Sequence, residues 1–445
     1  MRRMKVIYED NHLLVVEKPP NVPVQKDSSN DPDLLSELKG YVKQKYDKPG
    51  DVYLGLVHRL DRPVGGVMVF ARTSKAAARL SSQFSGKGAK KCYAALVMGL
   101  PEREAVLFDY LYRDEQANNT MICAEGVEGA KPARMSYATV ASHNGLTLLN
   151  IELDSGRHHQ IRVQLSSRSI PIWGDQRYNP HASIGQQIAL WAYSLEIEHP
   201  TQRIPMRFIS LPTGKAWNGF SNDLTALLAG VRLVYIDDNI IAVDKQSGLS
   251  VAIDDGEDDT LEARLRTAFG EAYAVHRLDA TTTGLVLFAR NLKTRRELDA
   301  LMRERRVHKV YHCIVKGHPK ASSAVIEAYA LKDPTSGYVS VYNSPGQGTQ
   351  KMITSYRLLE YSDGMSMLEV ELLTGRTHQI RAHLAHIGHP VLGDDKYGDR
   401  AFNRERRTKG ISLRSMRIGF DLFGKHYELE VDPEFNLIAG ALNVR

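Results

Sequence analysis

His58-Arg59-Leu60-Asp61 recurs as His276-Arg277-Leu278-Asp279. In each copy the aspartate stands just ahead of an apolar run, residues 67–72 in one and 285–290 in the other. A carboxylate placed there can act as a nucleophile or a base if a cation keeps it ionised. Such a cation also recurs. Gly156-Arg157-His158-His159-Gln160-Ile161-Arg162 is answered by Gly375-Arg376-Thr377-His378-Gln379-Ile380-Arg381, whose second arginines, Arg162 and Arg381, can pair with a carboxylate through two parallel bonds. Between these motifs lie Tyr93 and Tyr311, each in an apolar segment. A phenol beside a carboxylate can stack on a planar base and hold or move a proton. The copies are offset by 218 residues at the aspartate and tyrosine and by 219 at the second arginine.

Taken singly, each residue has a plainer reading. An aspartate before a strand caps a turn, a strand tyrosine fills the core, and an arginine sits at the surface. Repetition of all three in register reverses that reading and points to two copies of one active site.

The elements that must position these groups follow the same duplication. Each half opens with a turn and an apolar strand, His12-Leu13-Leu14-Val15-Val16-Glu17-Lys18 and Ile240-Ile241-Ala242-Val243-Asp244-Lys245. A turn follows in which Asn21 stands where Gly248 stands, as a position of positive φ requires. Helices are expected near residues 34–41 and 261–269. The connection to His-Arg-Leu-Asp is about nine residues longer in the first copy, an insertion a loop tolerates. Ile380, Leu384 and Ile387 fall at helical spacing, so 377–387 reads as an amphipathic helix stopped by Gly388, and Ile161 and Leu165 begin the same pattern. Asp61 and Asp279 then lie on loops at the mouth of a sheet.

The expected fold class is α+β: two tandem domains, each a mixed, largely antiparallel sheet flanked by helices. The boundaries are read as 1–220 and 231–445, joined by a linker at 221–230 within a stretch rich in Pro, Gly, Asn and Ser. No phosphate-binding glycine loop or dinucleotide fingerprint is present, so no cofactor is expected.

At 445 residues the chain exceeds one ordinary core, and a repeat this long indicates duplicated globular domains rather than a solenoid. The net charge of +6 favours a polyanionic partner. Lys293, Arg295, Arg296, Arg303, Arg305 and Arg306 form one basic cluster, and Arg400, Arg404, Arg406, Arg407 and Lys409 a second. Both are read as phosphate contacts rather than solvated helix faces. The 3 cysteines fit neither a disulfide framework nor zinc spacing, so reduced intracellular thiols are expected. The opening Met1-Arg2-Arg3-Met4-Lys5 leads into no apolar segment, and no apolar run is long enough to span a membrane. A cytoplasmic protein is the expectation.

Together these motifs resemble the RluA-type pseudouridine synthases, once over residues 4–213 and again over 231–434. Gly174-Asp175-Gln176-Arg177-Tyr178 and Gly393-Asp394-Asp395-Lys396-Tyr397 add to the match. The resemblance implies an RNA isomerase converting uridine to pseudouridine without a cofactor or metal. It implies Asp61 and Asp279 as the catalytic residues, with Tyr93, Tyr311, Arg162 and Arg381 as active-site support. Arg59 and Arg277 resemble the residue that enters the RNA and helps displace the target nucleotide. Ribosomal RNA is the first expected substrate and transfer RNA the alternative. Many relatives carry a small N-terminal RNA-binding domain. Here the pattern begins within about ten residues of the start, so RNA affinity is expected from the catalytic domains of a monomer.

The copies also differ. Arg62-Pro63-Val64-Gly65 follows the first aspartate and Ala280-Thr281-Thr282-Thr283 the second, Asp154-Ser155 stands for Leu373-Thr374, and His158 for Thr377. None of these removes a proposed catalytic group, so both sites are expected to be competent. Three competing readings were weighed. A metal site from His378, His383, His386 and His389 has no counterpart in the first half, where His159, Gln164, Ser167 and Ile170 stand instead. A retaining glycosidase needs two close carboxylates, whereas each repeat offers one aspartate with an arginine partner. A non-catalytic RNA-binding module explains the basic clusters but not the register of Asp, Tyr and Arg, and an RNA-binding protein in which only one domain is catalytic stays open as an alternative.

Overall fold

The computed structural model describes residues 5–433 apart from 28, 30, 87, 253–258 and 409. The basic residues 1–4 and Lys409 of the second cationic cluster lie outside them. The chain divides into two compact units, Met1–Leu224 and Thr225–Arg445.

Among the described residues of the first unit the strands are β1 (Lys5–Glu9), β2 (Leu13–Lys18), β3 (Gly55–Leu56), β4 (Gly65–Ala71), β5 (Lys90–Met98) and β6 (Glu104–Asp114). They continue with β7 (Asn119–Cys123), β8 (Lys131–His143), β9 (Leu146–Leu153), β10 (Leu190–Glu198) and β11 (Pro205–Ile209). They form one sheet in the order β1-β2-β4-β10-β5-β9-β8-β6-β7, with β3 on β4 and β11 on β10. Helices α1 (Leu34–Lys45), α2 (Ser74–Ser85) and α3 (Gln160–Ser166) accompany it, and α4 is Ser221–Leu228.

The second unit repeats this plan. Its strands are β12 (Arg232–Ile236), β13 (Ile240–Lys245), β14 (Tyr273–Ala274), β15 (Thr283–Ala289), β16 (His308–Lys316) and β17 (Ser323–Lys332). The rest are β18 (Val339–Tyr342), β19 (Gln350–Ser362), β20 (Met365–Leu372), β21 (Leu413–Leu422) and β22 (Lys425–Glu430). The order is β12-β13-β15-β21-β16-β20-β19-β17-β18, with β14 on β15 and β22 on β21. Its helices are α5 (Leu261–Phe269), α6 (Leu292–Arg303), α7 (Gln379–His386) and α8 (Arg400–Glu405). Each sheet is mixed and largely antiparallel, its parallel pair being β4–β10 or β15–β21.

The apolar runs beside the aspartates are central strands buried on both faces. Leu14, Val16, Met68 and Phe70 join a core that takes Leu34, Leu38 and Val42 from α1. Their alternates Leu13, Val15, Val67 and Val69 join a second core with Ala76 and Leu80 of α2. Strand alternation thus feeds two layers of helix from one sheet, which is why these segments read as continuous rather than alternating. Helix starts are set locally by Asp33, Thr73, Thr260 and Asn291, whose side chains accept from the backbone N–H three residues on.

The parallel pair requires glycine. Gly66 has φ +128°, and a Cβ there would lie 2.2 Å from the Ala192 carbonyl oxygen. Gly284 has φ +102° and the same 2.2 Å approach to Ser415. The loop bearing each aspartate therefore enters its strand at a point where the neighbouring backbone closes in. Asn21 and Gly248 both take positive φ, 64° and 89°, as their shared turn position requires.

The stretch read as a linker, 221–230, holds helix α4, and Lys215–Phe220 before it is a 3-10 turn with Trp217 and Phe220 buried. No Pro or Gly falls between Gly219 and Gly230, and there Leu224 and Ala226 are buried, which anchors a helix where composition alone reads as open chain. No helix among the described residues is long and apolar enough to cross a membrane.

Candidate active site

Each site is assembled around an arginine on a short buried helix. Arg162 in α3 donates from Nη1 to Asp61 Oδ2 at 3.2 Å, and from Nε and Nη2 to the two oxygens of Asp175 at 2.8 and 2.7 Å. Arg381 in α7 donates to Asp279 at 2.7 Å and to both oxygens of Asp394 at 2.8 Å. The two carboxylates differ in access. The side chains of Asp175 and Asp394 are 0% exposed, whereas Asp61 and Asp279 are 25% and 30% exposed. The inner aspartate therefore fixes the guanidinium plane, and its remaining N–H holds the outer aspartate at one oxygen. The outer carboxylate keeps access to the cleft, as a reacting group needs.

His159 and His378 complete the shell. Each begins its helix in the left-handed region at φ +52°, uncommon for a residue with a side chain. Nε2 of His159 is 3.6 Å from Asp61 and Nε2 of His378 is 3.7 Å from Asp279. Nδ1 of each pairs with a tyrosine hydroxyl, Tyr178 at 2.8 Å and Tyr397 at 2.9 Å. Those hydroxyls also accept the backbone N–H of Thr120 and Val339. Burial lowers His159 to about 3 and also depresses His378, so both rings are neutral near pH 7.

Tyr93 and Tyr311 line the same clefts as Asp61 and Asp279. Burial pushes both phenols well above their usual range, with the neighbouring aspartate adding to the shift in each, so they remain protonated donors. A register shift marks this place in both sheets, between Ala192 and Ser194 opposite Tyr93 and between Val310 and Tyr311 themselves. Bulges of this kind re-aim a side chain beside a site. Arg59 and Arg277 are exposed on the rims of these clefts. In each half the aspartate, the tyrosine and the rim arginine thus border one cleft, and the helix arginine bonds the aspartate. Arg59, Arg113, His158 and Arg177 border a cleft of about 900 Å³ beside Asp61, and Arg303, Lys309, Lys332 and Arg376 one of about 1260 Å³ beside Asp279.

Several positioning groups were not identified from the sequence. Asp175 and Asp394 stood in a quoted motif without a role, although both follow their arginine by 13 residues. Lys18 and Lys245 end strands read from the sequence, without a role, and are 0% and 1% exposed. Lys18 Nζ donates to the carbonyls of Arg62 and Val64, and Lys245 Nζ to that of Ala280, so each holds the loop that follows its aspartate. Burial lowers Lys245 to about 8. Ser155 and Thr374, which differ between the copies, do the same work: each hydroxyl donates to the buried glutamine Gln160 or Gln379 at 2.8 Å. His158 bonds Thr120 Oγ1 at 2.8 Å and stacks on His159, an arrangement that Thr377 cannot repeat.

The histidine of each His-Arg-Leu-Asp run is a brace. Nε2 of His58 and of His276 accepts the backbone N–H of Val69 or Leu287 at 3.0 Å, so the ring must be neutral. Burial, reinforced by Lys91 or Lys309, lowers both to about 3. The folded value lies below the unfolded value near 6.5, so this contribution is complete above about pH 6.5 and is lost as pH falls toward 3. The thermal-unfolding midpoint is therefore expected to drop between pH 7 and 4, each ring contributing on the order of 1–2 kcal/mol after solvent screening. In His58→Gln and His276→Gln chains, whose amide oxygen accepts without titrating, the drop should be smaller; an equal drop would remove these rings from the account.

The four histidines weighed as metal ligands have separate partners. His378 bonds Tyr397, His383 bonds Thr354, His386 bonds Asn343, and His389 bonds the Lys316 carbonyl. Among the described residues no three His, Cys, Asp or Glu side chains gather as a metal-binding group.

A guanidinium-held carboxylate beside a buried phenol, at the mouth of a mixed sheet, is an arrangement that can support acid–base or nucleophilic chemistry. The comparisons narrow this further. The family model described as RNA pseudouridylate synthase matches residues 12–167 and again 239–386. The chain belongs to that family. It is 36% identical over 183 residues to the ribosomal large subunit pseudouridine synthase C of Vibrio cholerae, covering 40% of this chain and 56% of the relative. Over 245 residues it is 29% identical to the tRNA pseudouridine synthase C of Pectobacterium carotovorum, covering 50% of this chain and 65% of the relative. The chain thus spans little more than half the length of several curated relatives. The solved structure of human RNA pseudouridylate synthase domain containing 1 is 27% identical, with a TM-score of 0.41, covering 51% of this chain and 88% of that one.

Proposed function

We propose that this chain isomerises uridine to pseudouridine in structured RNA, with one complete site in each half. Ribosomal RNA is the favoured substrate and transfer RNA the alternative, in keeping with the names of the relatives. The observation that carries this reading is repeated in both units: an Asp and a Tyr line one cleft, and a helix Arg bonds the Asp.

The chemistry follows from the groups present. A uridine must leave its stack before the bond from C1′ to N1 can be reached, at a cost of about a few kcal/mol. Arg59 or Arg277 fills the space it vacates. Asp61 or Asp279 assists cleavage of that bond, either by attack on C1′ or by removal of a ribose proton. Arg162 or Arg381 keeps the carboxylate ionised and oriented. The freed uracil turns within the cleft and rejoins C1′ through C5, with Tyr93 or Tyr311 against its face. Loss of the C5 proton restores the ring. Atoms and electrons balance within the substrate, so the reaction consumes no cofactor and requires no metal.

The halves act as domains 1–220 and 231–445 of a monomer. Reduced thiols at Cys92, Cys123 and Cys313 and an RNA substrate support a cytoplasmic setting. RNA labelled with tritium at uridine C5 tests the assignment. The chain is expected to release tritium without added cofactor, and RNA affinity to fall steeply as salt rises. Tight RNA binding with no tritium release would instead make this an RNA-binding protein.

A further inference from the structure

The basic cluster along α6 is not one surface. Lys293 lies over the Phe423 ring at 4.8 Å, and Arg295 lies over Tyr273 and 3.8 Å from Asp299. Those charges are engaged on their own unit. The end of the helix differs. Arg303 and Arg305 are exposed, have no ion-pair partner among the described residues, and border the cleft that contains Asp279. Arg305 and Arg306 also border an adjoining groove of about 860 Å³. Arg306 keeps a salt bridge of 3.3 Å to Glu304.

The backbone adds a second observation. Arg305 takes φ +58°, in the turn closed by Arg306 N–H to the Leu301 carbonyl at 2.9 Å. Helices that stop this way favour glycine at that position, and a side chain there costs roughly 1 kcal/mol. At the corresponding end of α2 the first unit reads Ser85-Gly86-Lys87-Gly88, one cation where the second unit has three. The second unit has Arg303 and Arg306 where the first has Ser85 and Gly88, and it holds Arg305 at the mouth of its cleft against the local conformational preference.

We propose that the Arg303–Arg306 turn is a phosphate-binding crest of the second unit, seating the RNA backbone that flanks the uridine at Asp279. This rests on the RNA-modifying reading of the Asp279 site. Phosphates passing over the crest meet Arg303 and Arg305 first. Lys309, Lys332 and Arg376 continue the positive lining toward the carboxylate. The corresponding first-unit sequence carries the single cation Lys87, so the two sites need not accept the same RNA.

The test uses the full chain and a fluorescent hairpin RNA with uridines in its loop, titrated over a range of salt. Arg305→Gly is expected to leave the melting midpoint unchanged or raised, because glycine suits this φ, while weakening RNA binding. The triple change Arg303→Ser, Arg305→Gly and Arg306→Gly, which removes all three charges, is expected to lower the slope of log K against log salt by about 2, at about 0.7 per phosphate contact. In an Asp61→Asn background, where turnover reports on Asp279 alone, KM should rise about tenfold or more with kcat little changed. An unaltered slope and KM in the triple variant overturn the crest and leave the catalytic reading standing. Weakened binding in a chain that never releases tritium supports the crest as a phosphate surface and sinks the catalytic reading. An unaltered chain that binds no RNA overturns both.

Discussion

Replacing both Asp61 and Asp279 by asparagine is expected to lower tritium release from C5-labelled RNA by at least about 10⁴-fold, the scale of loss when a reacting group is removed from a site whose binding groups remain. Asparagine keeps the shape and still offers Arg162 or Arg381 an oxygen, so RNA affinity and the melting midpoint should change little. Each single variant should retain the turnover of the other half. The contrast separates chemistry from binding: a group that merely orders the loop would show its loss in affinity or stability. Asp61 and Asp279 are the partly exposed members of their arginine networks, so removing their charge exposes no buried imbalance.

The second large effect is on stability. Asp394→Asn removes the carboxylate that takes two bonds from Arg381 and also accepts the backbone N–H groups of Lys396 and Tyr397. Its carboxyl is held below its ordinary value because the Arg381 bonds and these backbone donors outweigh the cost of burial. Breaking a buried pair at one end costs about 3–5 kcal/mol, a third or more of the stability of an ordinary domain. The second unit should therefore melt earlier in Asp394→Asn, and the first in Asp175→Asn. Asp395 provides the internal control. It is 89% exposed and 3.6 Å from Arg381, so Asp395→Asn should cost well under about 1 kcal/mol. Equal losses at 394 and 395 would mean that the inner aspartate does not anchor the arginine.

Much of this site was legible in the sequence because duplication filters out accident. The strand Ile240–Lys245 and the helix Leu261–Phe269 fall where periodicity and turn residues put them. The Asp, Tyr and Arg of each half, separated by up to about a hundred residues, come together, the Asp and Tyr lining one cleft and the Arg bonded to the Asp. What the sequence hid was the partner of each partner. A lysine at a strand end looks like surface, yet Lys18 and Lys245 are buried because carbonyls of a distant loop replace water around the amine. The role of His58 depends on a backbone donor that no side-chain pattern records. Substitutions between the copies can also mask common positions. Trp191 and Arg414 occupy the same place against the parallel strand, one closing on Ser210 and the other paired with buried Asp244 at 2.8 Å. The helix at 221–228 shows the converse error, since loop-forming composition ran up to its first turn and obscured the anchors beyond.

Two independent guanidinium-held carboxylates make a claim about location as well as rate. The direct measurement is a map of pseudouridines formed in ribosomal and transfer RNA by the unaltered chain, by Asp61→Asn and by Asp279→Asn. Each single variant is expected to lose a distinct set of positions and keep the rest, with the two lost sets together making up the full map. A map that vanishes with one substitution and is untouched by the other would contradict two working sites and leave one half as a scaffold.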